Sequence, residues 1–237
     1  MKNLKNWDKK TWLSSSKYIS SIVNFIENKI KFNKETKILD IGCGRGKIIS
    51  FLSEKHQMSN LPLGIDIVDH KNATRKIKFT KINAVKYLSK TKKKFDLILF
   101  KQSIHFFKFS EIKKILNLSK KKLSPKGKII ILALHPKKIH WPLFKLFKLI
   151  LIKSLEKDRK IMNLIKFNFK KYKINYFNFK VNISKNSYLE MVKNRFTSCL
   201  LSLSTRELEV GVKEIKKKYK KKLMFFDKLI CVSYQKE

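Results

Sequence analysis

Apolar residues along the first 135 positions alternate between helical spacing and short unbroken runs. Helical spacing predicts helices over residues 14–30, with Ser14 as the N-cap, and over 46–55 and 109–122. The unbroken runs predict buried strands over residues 37–41, 61–67, 77–81, 95–100 and 128–134, the last after a turn at 123–127. Because near-continuous apolar strands that alternate with helices are typical of a parallel sheet covered on both faces, the pattern predicts an α/β fold.

The last third of the chain has a less regular pattern. Residues 141–155 are strongly apolar and predict a helix, as do residues 189–203, whereas 160–186 predict no clear element. Ser204 and Glu207 have the spacing of a capping box, which predicts the start of a further helix. Residues 225–226 and 229–234 predict closing strands at an antiparallel edge.

Composition limits the class of protein. With 237 residues, 43% of them hydrophobic, the chain is long enough for one full α/β domain with a sizeable core. Its three cysteines are widely spaced, and no apolar signal peptide is visible at the N-terminus, so we expect a reducing compartment, the cytoplasm, and neither a disulfide framework nor a cysteine zinc site.

The net charge of +40 would suit a nucleic-acid partner. Only five of the 57 basic residues are arginines, however, and the planar fork of arginine is what usually grips phosphates and bases. We interpret the charge mainly as codon bias and solvated lysine faces. A nucleic-acid partner stays possible but is not favoured.

A glycine-rich turn follows the first predicted strand. Gly42 permits a sharp turn, Gly44 lets a ligand approach the backbone, and Gly46 lets helix and strand pack closely. Asp66 ends the second strand, where a carboxylate can accept both hydroxyls of a ribose. Asp40, just before the turn, suits a ligand with an ammonium group and would repel a pyrophosphate. The pattern therefore favours S-adenosylmethionine over a dinucleotide.

Four segments resemble motifs of the class I S-adenosylmethionine-dependent methyltransferases. Residues 38–46, Ile-Leu-Asp-Ile-Gly-Cys-Gly-Arg-Gly, resemble the first motif and 64–66 the second, while 95–98 resemble the fourth and 123–128 the turn before the fifth strand. The resemblance covers about residues 35–135. It implies a doubly wound, mostly parallel seven-stranded sheet of the Rossmann-like type with one antiparallel strand, helical additions in the C-terminal third, and S-adenosylmethionine as cofactor.

The resemblance also implies a cofactor role for individual residues. Asp40 and Gly42 would meet the amino-acid end of the cofactor, Asp66 the ribose and Ile67 the adenine. Asn83, where the family more often has Asp, would flank the adenine edge, and the backbone of the residue after the fourth strand would face the methionine moiety. The predicted cofactor site comprises Asp40, Gly42, Cys43, Gly44, Gly46, Asp66, Ile67, Asn83, Ala84 and Lys101.

Two residues are candidates for the acceptor side. His105 lies just past the fourth strand, where the family places catalytic groups, and a histidine can take a proton near neutral pH; the alternative is a packed histidine. Arg195 could hold an acceptor carboxylate with its planar fork, although an exposed helical arginine is the plainer interpretation. The aromatic residues Trp7, Trp12 and Tyr18 could close over the site or could simply pack.

The acceptor itself is left open. The chain lacks the Asn/Asp-Pro-Pro-Tyr motif of amino methyltransferases that act on nucleic acids, which favours a small-molecule acceptor. An RNA methyltransferase and a non-catalytic cofactor-binding scaffold are the alternatives. A helix over 141–155 would be about 22 Å long, too short for a hydrocarbon core of about 30 Å, so it would cap the acceptor pocket or lie on an anionic membrane with a lipid or quinone acceptor.

We expect one domain over residues 1–237, and the oligomeric state stays open. Its expected parts are a helical segment 1–34, a cofactor-binding core 35–135, an acceptor-side lid 136–203 and a closing helix with strands 204–237.

Overall fold

The computed structural model describes residues 11–70, 74 and 76–237. Trp7 and its predicted contact with the site lie outside these residues. The strands are β1 (Ile38–Ile41), β2 (Leu63–Asp66), β3 (Lys78–Lys81), β4 (Phe95–Lys101), β5 (Leu123–Leu134), β6 (Lys173–Ser184) and β7 (Lys222–Gln235). The α-helices are α1 (Ser16–Glu27), α2 (Lys47–Lys55), α3 (Ala84–Lys90), α4 (Phe109–Lys121), α5 (Lys145–Asn168), α6 (Lys185–Lys193) and α7 (Thr205–Lys218).

The seven strands form one sheet in the order β3-β2-β1-β4-β5-β7-β6. Strands β1 to β5 pair in parallel, and β7 is antiparallel to both of its neighbours. This arrangement confirms the predicted doubly wound α/β fold with one antiparallel strand. The chain order reverses between the adjacent strands β1 and β4, and in open α/β sheets the ligand crevice lies at the carboxyl ends of such a pair.

Buried side chains on both faces of the sheet explain the unbroken apolar runs. Ile38 and Leu97 belong to one core cluster, which also contains residues of α1, whereas Leu39 and Ile98 belong to a second cluster with residues of α4. Because successive strand residues point to opposite faces, both faces must be apolar when both are covered.

Two predicted boundaries near the start of elements are wrong. The N-cap of α1 is Ser15, not Ser14: the Ser15 Oγ accepts a hydrogen bond from the backbone N–H of Tyr18 at 3.3 Å, while Ser14 ends a short 3₁₀ helix. The predicted turn at 123–127 belongs to β5, which begins at Leu123 and has a register shift against β4 at this point.

The C-terminal third differs most from the prediction. The helix predicted over 141–155 runs instead from Lys145 to Asn168, and the unassigned stretch 160–186 supplies its end and strand β6. The helix predicted over 189–203 is split into α6 and a 3₁₀ turn at Ser198–Leu200, since Arg195 between them has a φ of +52°. The two predicted closing strands are one, β7, and β6 forms the sheet edge. The Ser204–Glu207 capping box is confirmed.

The apolar residues of α5 do not follow one helical face, because the two ends of the helix pack into different surroundings. Phe147 and Leu151 pack into the first core cluster, whereas Ile161 and Ile165 pack into the second. The helix therefore changes its buried surroundings along its length. Among the helices that the structure describes, α5 included, none is long and apolar enough to cross a membrane. The division into one domain with four parts stays a prediction.

Candidate cofactor and acceptor sites

The glycine turn connects β1 to α2, and all three glycines have left-handed backbone angles, with φ of +72°, +56° and +71° for Gly42, Gly44 and Gly46. A Cβ added to Gly42 would lie 2.4 Å from the Ser103 Cβ, and one added to Gly46 would lie 2.1 Å from the Ile77 Cδ1. A Cβ on Gly44 would meet no heavy atom within 4 Å in the described part of the chain. Gly44 is thus the glycine with backbone open to a ligand.

Asp40 lies buried at the end of β1, and its Oδ1 has no hydrogen-bond partner among the residues that the structure describes. Burial and the nearby Asp66 carboxylate raise the pKa of Asp40 to about 7, against the lowering effect of Lys101. A buried acceptor atom without a partner is costly unless a donor arrives. An ammonium group beside the turn would meet that need.

Asp66 ends β2 opposite the turn. Its Oδ2 accepts a hydrogen bond from the Gly44 N–H at 3.0 Å and its Oδ1 accepts one from the Val68 N–H at 2.9 Å. Burial acts to raise its pKa, but His70 and these two N–H groups outweigh that effect, so the pKa is lowered and the carboxylate is ionised near neutral pH. Each oxygen can accept a further hydrogen bond, as ribose hydroxyls would require.

The residues beside Asp66 form the rest of this end of the site. Ile67 is 44% exposed, which leaves an apolar side chain free to cover an adenine ring. His70, which the sequence pattern did not indicate, lies buried with its Nε2 3.7 Å from the Asp66 Oδ2. Asn83 caps α3 by accepting a hydrogen bond from the Lys86 N–H at 3.1 Å, and Ala84 is buried behind it.

Lys101 and Cys43 complete the predicted set. The Lys101 Nζ lies 5.1 Å from the centroid of the Tyr18 ring, and its charge acts to lower the pKa of Asp40 and of buried Asp227. Its side chain therefore faces a buried polar cluster rather than solvent alone. Burial raises the pKa of the Cys43 thiol far above its usual range, so the thiol is neutral.

A cavity of about 50 Å³ adjoins the end of β4. Gln102 and His105 form one wall, α5 a second, and the segment 195–201 a third. Gln102 is followed by Ser103, whose Oγ donates to the Ile41 carbonyl at 2.5 Å and whose Cβ faces Gly42. The cavity, hereafter the acceptor cavity, thus includes the residue next to the one that contacts the glycine turn, and it brings together the two predicted acceptor-side residues, His105 and Arg195.

His105 is half-buried in the cavity wall. Its ring lies 4.1 Å from that of Phe106, and its carbonyl accepts a hydrogen bond from the Lys157 Nζ at 3.0 Å. Burial, together with the Lys157 charge, lowers the pKa of His105 to about 4. The imidazole is neutral at pH 7, with one ring nitrogen available as an acceptor.

Arg195 is not an ordinary exposed helical arginine. It follows α6 in a left-handed conformation, and its Nη2 donates to the Leu203 carbonyl at 3.0 Å. Its Nε is buried and, among the described residues, has no acceptor. One polar edge of the guanidinium is therefore left for a ligand.

The sequence analysis missed two residues of the acceptor cavity. Gln102 has a left-handed φ of +53°, and its Oε1 is buried with no hydrogen-bond partner in the described structure. Asp158 lies on the cavity face of α5, where burial raises its pKa to about 6 against the effect of Lys157. The spacing of Leu151, Ser154 and Asp158 on one helix face would have been the signal.

The N-terminal aromatic residues pack beneath the acceptor cavity. Trp12 is buried, with ring centroids 5.7 Å from Trp141 and 5.0 Å from Phe196, and its Nε1 donates to the Asp227 Oδ2 at 3.3 Å. Tyr18 is buried between aromatic rings of β6. Both residues therefore belong to the core, and their neighbour Leu13 reaches the cavity.

Comparison with known proteins agrees with this geometry. The fold is that of the Rossmann-like methyltransferases. A family model described as a methyltransferase domain matches residues 13–162, so the chain belongs to this family of S-adenosylmethionine-dependent methyltransferases, with S-adenosylmethionine as cofactor. No curated protein matches the chain.

Solved structures with the same fold share little sequence with the chain. A methyltransferase from an antibiotic biosynthesis pathway of Anabaena variabilis is 15% identical with a TM-score of 0.68, over 90% of this chain and 96% of that one. The plantazolicin methyltransferase, solved with a substrate analogue and S-adenosylhomocysteine, is 16% identical with a TM-score of 0.56, over 100% and 90%. The N-methyltransferase NodS from Bradyrhizobium japonicum, solved with S-adenosylhomocysteine, is 10% identical with a TM-score of 0.53, over 96% and 92%.

Proposed function

We propose that the chain methylates a small molecule that binds in the acceptor cavity. The observation that carries this proposal is the position of the cavity: its wall residue Gln102 directly precedes Ser103, whose Cβ faces Gly42 of the glycine turn, so an acceptor in the cavity would lie near the cofactor site. The plantazolicin and antibiotic-pathway methyltransferases with the same fold support a natural-product type of acceptor by analogy.

The residues of the turn would hold S-adenosylmethionine by its distinct chemical groups. Asp40 would accept hydrogen bonds from the ammonium, the Gly42 and Gly44 backbone would follow the chain between ammonium and ribose, and Asp66 would bind the ribose hydroxyls. The adenine would be bordered by Ile67, Asn83 and Ala84. Cys43 and Gly46 would shape the turn, and Lys101 would complete the end of the site at β4.

The bound cofactor supplies a methyl group on a positively charged sulfur, which needs no further activation. The protein's contribution is then to align the acceptor and to exclude water. Arg195 would orient a carboxylate of the acceptor through its free Nε edge. His105, predicted as the catalytic base, would face the acceptor as a neutral imidazole.

To test the proposal, the protein is incubated with a metabolite extract and with S-adenosylmethionine whose methyl group is deuterated. The products are then identified by mass spectrometry. We expect a labelled metabolite below peptide size and none with Gly44→Ala, which serves as the control. Labelled RNA in a parallel reaction would overturn the proposal in favour of an RNA methyltransferase. Binding of S-adenosylhomocysteine without any labelled product would overturn it in favour of a scaffold.

A membrane-surface acceptor is a second candidate, favoured by the outer face of α5. Leu149 and Ile152 are 53% and 45% exposed there, between the exposed lysines Lys148 and Lys153. Such a face could lie on anionic lipid. Co-sedimentation with phosphatidylserine vesicles tests this candidate. The wild type should sediment with the vesicles, and the double variant Leu149→Ser, Ile152→Ser should not. Equal sedimentation of the wild type and the double variant would exclude this face of α5 as a membrane-binding surface.

A further inference from the structure

The acceptor cavity contains hydrogen-bond acceptors that have no partner among the described residues. The Gln102 Oε1 is buried without a partner, and no hydrogen bond or ion pair from the described residues reaches the Asp158 carboxylate. His105 adds an unprotonated ring nitrogen. These atoms require donors, so a ligand group rich in N–H bonds satisfies them better than an ether, a thiolate or a carboxylate.

Asp158 is the charged group on the wall of the acceptor cavity that α5 forms. It lies one helical turn beyond Ser154 on the face of α5 that also carries Leu151, and all three residues line the cavity. The nearest lysine along the helix, Lys157, directs its Nζ to the His105 carbonyl instead. Near neutral pH most of the Asp158 side chains are ionised, because the pKa of about 6 lies below that pH.

Arg195 does not neutralise Asp158 directly. Its Nη2 is engaged by the Leu203 carbonyl, and within the described chain no ion pair of 4.0 Å or less joins the two side chains. The cavity therefore presents a carboxylate on the α5 wall and a guanidinium edge on the wall formed by 195–201. Two separated opposite charges suit a ligand that carries a cationic and an anionic group.

We propose that the methyl acceptor is an amine, with its nitrogen held by Asp158 and Gln102. This inference rests on the proposed small-molecule function and deepens it: the reacting group is a nitrogen, and the carboxylate assigned to Arg195 belongs to the same molecule. Asp158, rather than His105, is the residue that takes the proton.

An entering ammonium group loses one proton to Asp158, which passes it to solvent. The nitrogen lone pair then forms the new N–C bond while the C–S bond breaks. The electron pair of the C–S bond stays on sulfur, which becomes a neutral thioether. The methylated nitrogen now carries the positive charge, which the Asp158 carboxylate stabilises until a second proton leaves.

The test uses three probes that each contain four carbon atoms, n-butylamine, n-butanol and butyrate, in the full-length protein saturated with S-adenosylhomocysteine. Binding is followed by ligand-observed NMR, and methyl transfer to each probe is measured by mass spectrometry in a separate reaction in which S-adenosylmethionine replaces S-adenosylhomocysteine. We expect n-butylamine to bind at least about tenfold more tightly than n-butanol, and Asp158→Asn to remove that preference. Gln102→Met should weaken n-butylamine binding several-fold, as a second variant that keeps the side-chain volume.

Glu156→Gln is the matched control, since it removes one exposed carboxylate two residues away on α5 without touching the acceptor cavity. It should bind all three probes as the wild type does. Equal binding of n-butylamine to Asp158→Asn and wild type, in proteins that melt at the same temperature, would overturn the proposal, as would tighter binding of n-butanol than of n-butylamine. A labelled hydroxyl or carboxyl metabolite would overturn the amine assignment alone and leave the small-molecule function standing.

Discussion

The predicted cofactor site and the acceptor cavity are built in different ways. The predicted cofactor residues come from strand ends and turns between Asp40 and Lys101, and much of the turn is backbone. The acceptor cavity draws on the N-terminal segment, the end of β4, helix α5 and the loop after α6. A site formed by backbone groups of one segment is retained when the sequence changes elsewhere. The acceptor cavity, in contrast, can change its ligand specificity through single substitutions on any of several elements.

The largest effect on cofactor binding is expected at a glycine of the turn, where the absence of a side chain leaves space for the cofactor. Gly44→Ala should weaken S-adenosylhomocysteine binding by at least about a hundredfold, roughly 2.7 kcal/mol, because its Cβ would enter the open space above the turn. The strain of φ near +56° should cost only about 1–2 kcal/mol of stability. Calorimetric titration and urea unfolding measure the two quantities.

Gly42→Ala is the matched comparison, since it has the same left-handed strain but a Cβ that overlaps Ser103. We expect a clearly larger loss in its free energy of unfolding than for Gly44→Ala, because a close-packed core accommodates an extra carbon poorly. If both variants lose stability equally and both bind the ligand, the open face above Gly44 is not the cofactor site.

The next effect concerns the pH dependence of cofactor binding. Because Asp40 has a pKa of about 7 in the free protein, it is largely protonated below that pH and must lose a proton to meet an ammonium. The dissociation constant of S-adenosylhomocysteine should therefore rise by up to about tenfold per pH unit below pH 7. Asp40→Asn should bind more weakly at pH 8 and should lack this dependence; an unchanged slope would contradict the assignment.

Asp40 should also affect stability in a defined direction. Its folded pKa lies above the usual value of 3.8, so its protonated form is favoured by folding, and the contribution is lost as pH rises from about 4 through about 7. Asp40→Asn should remove this part of the pH dependence of unfolding in the ligand-free protein.

On the acceptor side, Arg195→Lys should raise the KM for the acceptor about tenfold, because a lysine offers no planar fork to a carboxylate. Binding of S-adenosylhomocysteine should change less than about twofold, since Arg195 lies in the acceptor cavity. Arg206→Lys, an exposed arginine in α7, is the control. An unaltered KM in Arg195→Lys would exclude a carboxylate contact.

The smallest effect is expected for the residue that the sequence placed in the catalytic role. His105→Ala should lower turnover only a few-fold and leave S-adenosylhomocysteine binding intact, because a base with a pKa of about 4 gains little from accepting a proton at pH 7. A loss of a hundredfold or more would restore His105 as the base. An unchanged rate with the true acceptor would remove it from the reaction.

The sequence predicts the elements of the cofactor site more accurately than those of the acceptor cavity. The sequence predicts strand β4 nearly to its ends, because five of its seven residues are apolar and they lie on both faces of a covered sheet. Helix α5 was predicted too short, because its buried face passes from one core cluster to the other and polar Ser154 and Asp158 interrupt the apolar spacing. The end of α6 could not be foreseen, since no pattern indicates a left-handed arginine.

The amino-acid sequence by itself determined the parallel sheet, the glycine turn and the choice of cofactor, because strand burial, positive-φ glycines and two carboxylates leave local patterns within a few dozen residues. Only the tertiary structure decided which residues form the acceptor cavity. Leu13, Gln102, Asp158 and Arg195 meet there because the fold brings their elements to the carboxyl edge of β4. Burial at that edge, not residue type, lowers the pKa of His105 and raises that of Asp158.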